Sequence, residues 1–172
     1  MVNTTRGRVK ASELGFTLMH EHMAMVDPAM RRAFADWFDE ETFAALGVPQ
    51  LRRARSEGIC TMLDPTPISL GRDVRLIARL ARESGITLIV STGLYYFDYP
   101  SVNALDPQWL SKLFVRELLD GCEGTDICAA AIKCATEEPA ISETNACVLK
   151  ACAIASNETG APILAHSNAL NQ

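Results

Sequence analysis

Short apolar runs alternate along the chain with longer segments whose apolar residues recur every three to four positions. The short runs are typical of buried β-strands, and the wider spacing predicts amphipathic helices. Because strand, helix, strand order favours parallel strands joined by right-handed crossovers, the pattern predicts an α/β fold. The five predicted strands cover residues 16–20, 59–63, 86–91, 128–133 and 162–166.

The first two helical segments differ in how clearly they begin and end. In residues 40–57, Gly47 and Pro49 predict an interruption, so that the helix begins at Pro49. The second segment, residues 71–85, ends at Gly85, a residue that readily adopts the left-handed conformation found after helices. Its predicted buried face consists of Val74, Ile77, Ala78 and Ala81.

The third and fourth helices carry stronger end signals. Asp106 suits an N-cap and Pro107 suits the first helical position, so the third helix is predicted to start there. The fourth helix is predicted to begin after Ser142 and to stop at Gly160. The predicted buried stripe of the third helix is Leu110, Leu113, Phe114 and Leu118.

Polar residues at the ends of the predicted strands help to choose between two architectures. An open doubly wound sheet and a (β/α)8 barrel both fit the alternation of elements. No glycine-rich turn follows the first strand, and polar groups from several strand ends converging on one site are typical of the barrel. We therefore predict the first five β/α units of a (β/α)8 barrel, in one domain over residues 1–172. The strand-end residues are His20, His22, Asp64, Tyr95, Tyr96, Lys133 and His166.

Composition narrows the classes of partner. The hydrophobic content of 48% with 22% charged residues predicts an ordinary soluble globular protein. The net charge of −5 argues against nucleic acid and anionic membranes as partners, because both attract basic surfaces.

There is no apolar run long enough for a membrane helix, and the first 15 residues lack the apolar core of a signal peptide, so we expect a cytoplasmic protein. The six cysteines show no C-x-x-C spacing and are expected to be buried, reduced thiols.

His20 and His22 lie two positions apart at the end of the first predicted strand. In a strand, residues i and i+2 point to the same side, so the two imidazoles can converge on one point. Neutral imidazole is a common ligand of zinc and related metals. The pair is a candidate bidentate metal site, with two solvated loop histidines as the alternative.

Lys133 ends an apolar run in which a surface lysine is unexpected. A buried ammonium is costly unless it is paired or chemically altered, and it has no lone pair for a metal. Three interpretations stay open: a stem that extends to solvent, a salt bridge to Glu137 or Glu138, and a neutral amine that captures carbon dioxide as a carbamate. The carbamate would be an anionic ligand able to bridge two cations.

His166 ends the fifth predicted strand and would line the same barrel mouth. Two metals about 3.5–4 Å apart can polarise a bond and lower the pKa of bound water towards 7, which indicates hydrolysis. Tyr95 and Tyr96 either form an aromatic wall that orients a neutral ester or pack under a loop. Asp64 is expected to cap the turn before Pro65 rather than to act as a base.

The chain resembles the phosphotriesterase family of the amidohydrolase superfamily. The matching segments are GFTLMHEHM at strand 1, LDPTPISLGRDVRLIARLARESGITLIVSTGLYY across strands 2 and 3, GTDICAAAIKCATEEPAISE at strand 4 and TGAPILAHS at strand 5. This resemblance implies a (β/α)8 barrel with two divalent metals, zinc or alternatively cobalt, manganese or iron. It also implies hydrolysis of organophosphate triesters, lactones or other carboxylic esters by a metal-bound hydroxide.

The resemblance also implies individual roles. By the family pattern, His20 and His22 bind the more buried metal, His166 binds the more exposed metal, and Lys133 is the carboxylated lysine that bridges them. Some relatives carry glutamate in place of this lysine, so Lys133 is typical of the carbamate-using branch. Members often form homodimers, so a homodimer is implied as well.

Residues 1–172 do not contain everything that the family pattern expects. A complete barrel has eight strands and typically about 250 residues, so three strands, a further histidine ligand and a metal-binding aspartate are absent from this sequence. The leading expectation is a metal-dependent ester hydrolase; one alternative is an incomplete fragment or non-catalytic binding module with the same fold. A third is a doubly wound binding protein with an exposed, unmodified Lys133. Fragment, split barrel and natural truncation all stay open.

Overall fold

A parallel sheet of five strands organises the chain, with strand order β3-β4-β5-β6-β7. The computed structural model describes residues 1–97, 102, 106–136 and 141–167. The sheet is curled like half a barrel, which confirms the predicted first units of a (β/α)8 barrel. Its strands are β3 (Thr17–Leu18), β4 (Thr61–Asp64), β5 (Thr87–Gly93), β6 (Ala131–Ala135) and β7 (Ile163–His166).

An antiparallel hairpin precedes the sheet and was missed by the sequence analysis. Its strands are β1 (Val2–Thr4) and β2 (Gly7–Val9). The hairpin is fixed by distant contacts: the Thr5 amide donates to Leu88 O, and the Asn3 side chain donates to Ala129 O. The sequence of this hairpin shows no alternation of apolar and polar residues. Its position depends instead on hydrogen bonds to distant segments, which a local sequence pattern does not reveal.

Helices cover one face of the sheet, and several predicted helix ends are confirmed, although the first short helix was not predicted. They are α1 (Pro28–Ala33), α2 (Glu40–Ser56), α3 (Val74–Ser84), α4 (Pro107–Leu119) and α5 (Glu143–Thr159). Asp106 caps α4 by accepting from the Gln108 amide, and Ser142 caps α5 by accepting from the Asn145 amide. Gly85 and Gly160 adopt the predicted left-handed conformation at the ends of α3 and α5.

The predicted start of the first helical segment, residues 40–57, was wrong. Helix α2 runs through Pro49 and begins nine residues earlier, after Asp39, whose carboxylate accepts from the amides of Glu41 and Thr42. Proline inside a helix removes one backbone hydrogen bond and strains the preceding turn. Burial of Ala44, Val48 and Leu51 in the main core offsets that cost.

The sheet separates a large core from a small one. The large core lies between the sheet and the helices and includes Leu76, Ile77, Leu80 and Phe114. On the other face, Leu63, Ile89 and Ala131 form a small cluster beside a cavity of about 390 Å³. Within the part of the chain that the structure describes, β3 pairs only with β4, and β7 pairs only with β6. Among the described residues, each edge of the sheet is therefore unpaired on its outer side.

The fourth parallel strand is displaced from its predicted position. Strand β6 starts at Ala131 rather than residue 128 and continues to Ala135, so Lys133 lies at its centre instead of closing it. The Ala129 amide donates to Glu117 O in α4, which takes this residue out of the ladder. Pairing of Ala135 with His166 extends the strand at its other end.

All six cysteines are free thiols, as expected from their spacing, although they are not all buried. Cys122, Cys134 and Cys152 lie in the core, Cys128 and Cys147 are half-buried, and Cys60 is exposed. Cys60 lies just before β4, where its side chain contacts Gly15 near the open edge of the sheet. Among the helices described, none has the length and apolar character needed to cross a membrane.

Candidate metal centre

The candidate site lies where the carboxyl ends of the parallel strands meet. His20 and His22 lie in the loop just beyond β3, which ends at Leu18, so neither histidine closes the strand as predicted. Lys133 pairs in register with Gly93 of β5, and His166 is the last residue of β7. These three segments bring residues that are far apart in sequence to one end of the sheet.

His20, His22 and Lys133 form the centre of this site. The ring centroids of the two histidines are 5.2 Å apart, and Lys133 Nζ lies 3.4 Å from His20 Nε2. The two imidazoles therefore converge, as their spacing predicted, although the backbone that carries them is a loop. Lys133 is only 1% exposed, so its amine does not extend to solvent. The doubly wound alternative required an exposed Lys133 and does not agree with this burial.

The environment favours uncharged nitrogen atoms at this centre. Burial lowers the pKa of His22 to about 4, and repulsion from the positive charge that His20, Lys133 and His166 carry when protonated acts in the same direction. Burial and the neighbouring Lys133 also lower the pKa of His20, and burial lowers the pKa of Lys133. Each shift disfavours the protonated form, because burial removes the charge from water; at the two histidines, neighbouring groups that carry positive charge when protonated add to this effect. Neutral imidazole is the form that ligates metals.

His166 and the tyrosines form an aromatic side to the site. The Tyr95 ring lies 5.6 Å from the His166 ring and 4.6 Å from the Tyr96 ring, and Phe97 contacts both tyrosines. Tyr95 and Tyr96 are half-buried. The Tyr95 amide donates to Ser69 Oγ, which fixes the backbone at the start of this aromatic group. The structure thus brings Tyr95 to His166, with Tyr96 packed against Tyr95.

Asp64 has the capping role that the sequence predicted. Its Oδ1 accepts from the Thr66 amide at 2.7 Å, and its Oδ2 accepts from the Met23 amide at 3.1 Å. Burial raises the pKa of this carboxyl, while hydrogen bonds from Thr66 and Met23 act in the opposite direction. Asp64 therefore joins the turn after β4 to the loop that carries the histidines.

Two further residues of the site were missed by the sequence analysis. Thr66 places its hydroxyl 2.7 Å from His22 Nδ1. Arg72 is buried in a cluster with Glu117 and Glu123. It anchors the far end of the segment between β4 and α3, which also contains Thr66. The Asp-Pro-Thr order after β4 is a turn signal that could have indicated Thr66, but the partner of its hydroxyl depends on tertiary structure.

The residues at this centre fit a divalent metal only in part. Among the described residues, no group of three or more His, Cys, Asp or Glu side chains is arranged to hold an ion. His20 and His22 supply two neutral nitrogen donors, and Lys133 becomes a ligand only after its amine is carboxylated. Glu137 and Glu138, the alternative partners of Lys133, lie outside the described residues. The donor set therefore depends on chemistry at Lys133.

A family model decides the relationship of this chain to known proteins. The model of the phosphotriesterase family matches residues 1–172. The chain belongs to the phosphotriesterase family. This membership agrees with the half-barrel fold and with the earlier resemblance.

Curated members of the phosphotriesterase family are similar over nearly all of this chain. An aryldialkylphosphatase of Saccharolobus solfataricus is 35% identical over 167 residues, covering 95% of this chain and 52% of that protein. A phosphotriesterase homology protein of Mycobacterium tuberculosis is 36% identical, covering 98% and 55%. An N-acetyltaurine hydrolase of Homo sapiens is 26% identical, covering 96% and 56%. The chain thus spans about half the length of the curated relatives that it matches.

Proposed function

We propose that this chain is the metal-binding part of a hydrolase that cleaves phosphotriester, lactone or other ester bonds at a binuclear centre. The observation that carries the proposal is Lys133, whose buried amine lies 3.4 Å from His20 Nε2. Burial lowers the pKa of this amine, which favours the neutral form that carbamate formation needs. Family membership and the names of the relatives support hydrolysis as the reaction type.

The proposed ligands are His20, His22, Lys133 and His166. The cofactors would be two divalent ions, zinc or alternatively cobalt, manganese or iron, held with a carbamate on Lys133. When bound, such ions supply Lewis acidity that polarises an ester and lowers the pKa of water. His20 and His22 would contribute neutral nitrogen atoms, which the low pKa of each ring keeps available near neutral pH.

Lys133 is suited to carbamate formation because its environment disfavours the ammonium. The neutral amine would form a nitrogen–carbon bond to carbon dioxide and release one proton, which leaves a carboxylate at the end of the side chain. Burial lowers the pKa of Lys133 and so increases the fraction of reactive amine. The resulting negative charge would be stabilised by the metal ions that it bridges.

Tyr95 and Tyr96 are the proposed substrate-binding residues. Tyr95 lies beside His166, Tyr96 packs against Tyr95, and both side chains are half-buried. An aromatic wall favours a small neutral substrate such as an ester, a lactone or an organophosphate triester.

We also propose a homodimer and a cytoplasmic location. The six free thiols fit a reducing compartment.

A second candidate function is a binding module that keeps the fold without the reaction. The outer sides of β3 and β7, which are unpaired among the described residues, favour it. It differs from the hydrolase in one respect that can be measured, because a binding module would turn over no ester at any metal concentration.

The test is hydrolysis of a neutral aryl dialkyl phosphate and of a lactone, with divalent metal and bicarbonate present. The wild-type chain should turn over at least one of them, and Lys133→Met should abolish turnover because methionine cannot form a carbamate. Lys150→Met, which removes an exposed lysine from α5, is the matched control and should leave the rate unchanged. Equal rates in wild type and Lys133→Met would contradict the proposal, and no turnover in a folded wild type would favour the binding module.

A further inference from the structure

Tyr95 and Tyr96 lie just beyond β5, outside the hydrogen-bonded ladder of the sheet. Two side chains from other parts of the chain bind their backbone. Ser69 Oγ accepts from the Tyr95 amide at 3.0 Å, and Asn145 Nδ2 donates to Tyr96 O at 3.1 Å. Because a carbonyl oxygen can only accept a hydrogen bond, the amide nitrogen of Asn145 must face Tyr96 O.

Asn145 is a buried polar residue in the first turn of α5. It is 3% exposed, and its backbone amide donates to the Ser142 hydroxyl that caps the helix. Its side chain reaches a residue 49 positions away in sequence. A buried amide is costly unless it is hydrogen-bonded, so the contact with Tyr96 O offsets the burial of this side chain.

The two hydrogen bonds hold both ends of a two-residue segment. Each residue has only two soft backbone dihedrals, so fixing the Tyr95 N–H and the Tyr96 carbonyl restricts the directions in which both side chains point. The two rings lie 4.6 Å apart, and the Tyr95 ring lies 5.6 Å from the ring of His166. The position of the Tyr95 ring therefore depends on both hydrogen bonds.

The other side of this ring contact is held by the sheet. His166 is the last residue of β7, it pairs in register with Ala135 of β6, and its carbonyl accepts from the Thr136 amide. Helix α5 connects β6 to β7, so Asn145 and His166 belong to the same β/α unit. Asn145 thus connects the segment after β5 to the unit that carries His166.

We propose that Asn145 is a positioning residue, which together with Ser69 holds the backbone of Tyr95 and Tyr96 so that the Tyr95 ring stays packed against His166. The part of this inference that concerns substrate binding rests on the proposed function, whereas the packing of the two rings does not.

The experiment reads the ring geometry in the metal-free chain at one fixed pH. Proton NMR measures the nuclear Overhauser effect between the ring protons of Tyr95 and those of His166. The chain has three histidines and three tyrosines, so the two rings can be assigned by comparing wild type with His166→Gln and Tyr95→Phe. Circular dichroism checks that each variant is folded.

Two variants remove the donor of Asn145. Asn145→Leu should weaken the Overhauser effect between the Tyr95 and His166 rings and shift the His166 ring signals. Asn145→Asp keeps the size of the side chain and offers no proton when ionised, so it should give the same change. A carboxylate suits the first turn of a helix, which supports folding of this second variant.

Two further variants test the other end of the segment and the helix itself. Ser69→Ala removes the acceptor of the Tyr95 amide and should also weaken the Overhauser effect. Asn157→Leu makes the substitution of Asn145→Leu at an exposed position of α5 and is the matched control. It should leave the Overhauser effect and the His166 signals unchanged.

Turnover of a neutral aryl dialkyl phosphate, with divalent metal and bicarbonate present, tests the consequence for substrate binding. In Asn145→Leu and Asn145→Asp, KM should rise roughly 2- to 10-fold, which corresponds to the loss of one hydrogen bond. The value of kcat should change less than KM, because the proposed metal ligands are not substituted. Asn157→Leu should retain both constants.

The outcomes distinguish this inference from the proposed function. An unchanged Overhauser effect in the folded Asn145 variants would overturn the role of Asn145, and an unchanged effect in Ser69→Ala would overturn the part assigned to Ser69. An unchanged KM in variants that lose the ring contact would overturn the consequence for substrate binding. A wild type without turnover that shows the expected dependence on Asn145 would support the positioning role and contradict the proposed hydrolase.

Discussion

Replacing Arg72 by methionine should destabilise the fold strongly, because this side chain joins three separate segments in a buried cluster. Its guanidinium is 1% exposed and makes four hydrogen bonds: two to the Glu117 carboxylate, one to Glu123 and one to Ser91 O. Methionine would leave the Glu117 carboxylate, 13% exposed, with the Thr92 hydroxyl as its one remaining side-chain partner among the described residues. Removing one member of a buried ion pair typically costs about 3–5 kcal/mol.

The assay is urea unfolding followed by circular dichroism, together with a thermal melt. At about 2–4 °C per kcal/mol for a chain of this size, the expected loss in Tm is roughly 6–20 °C. Arg53→Met is the matched control: the Arg53 side chain is 81% exposed and pairs with Glu57 in the next helical turn, so it should cost at most about 0.5 kcal/mol. The double variant Arg72→Met/Glu117→Gln should lose less than the sum of the single variants, because the Glu117 charge is removed together with the Arg72 charge that it pairs with. An Arg72→Met variant as stable as Arg53→Met would refute this account of the cluster.

Two further predictions concern the site itself. Gly93→Ala should destabilise by more than about 1 kcal/mol, since Gly93 has φ of 109° and a Cβ atom there would overlap Lys133 O; Gly58→Ala, at φ of 100° in open space, should lose less in the same urea assay. In the metal-free chain, His22 should make stability depend on pH: its pKa is about 4 when folded and 6.5 in the reference state, so the unfolded chain binds the proton first as pH falls. The contribution of His22 to the free energy of unfolding should be complete above pH 6.5 and decline towards pH 4. The difference in unfolding free energy between wild type and His22→Gln, measured by urea unfolding at each pH, should isolate this contribution. A difference that stays constant across that range would contradict the low pKa.

Features set by local chemistry could be predicted from the sequence. The capping roles of Asp106 and Ser142 and the left-handed turns at Gly85 and Gly160 depend on a few neighbouring residues, and the structure has them where predicted. Pro49 was misjudged because the packing of α2 outweighs a local penalty that the sequence shows plainly.

Features set by long-range contacts could not be predicted in the same way. The central position of Lys133 in β6 depends on pairing with β5 and β7, and the partner of the Thr66 hydroxyl comes from 44 residues away. The convergence of His20 and His22 was predicted from their spacing alone, although the strand that was expected to carry them ends at Leu18.

The central claim is tested most directly by the metal content of the purified chain. It should be measured by mass spectrometry after growth with zinc and with bicarbonate in the buffers, beside the double variant His20→Ala/His22→Ala and the control Glu21→Gln. The account predicts about two metal ions per chain, lost in the double variant and retained in the control, because the imidazoles at 20 and 22 are the proposed ligands. A correctly folded wild type without bound metal, or a double variant that keeps its full metal content, would contradict it.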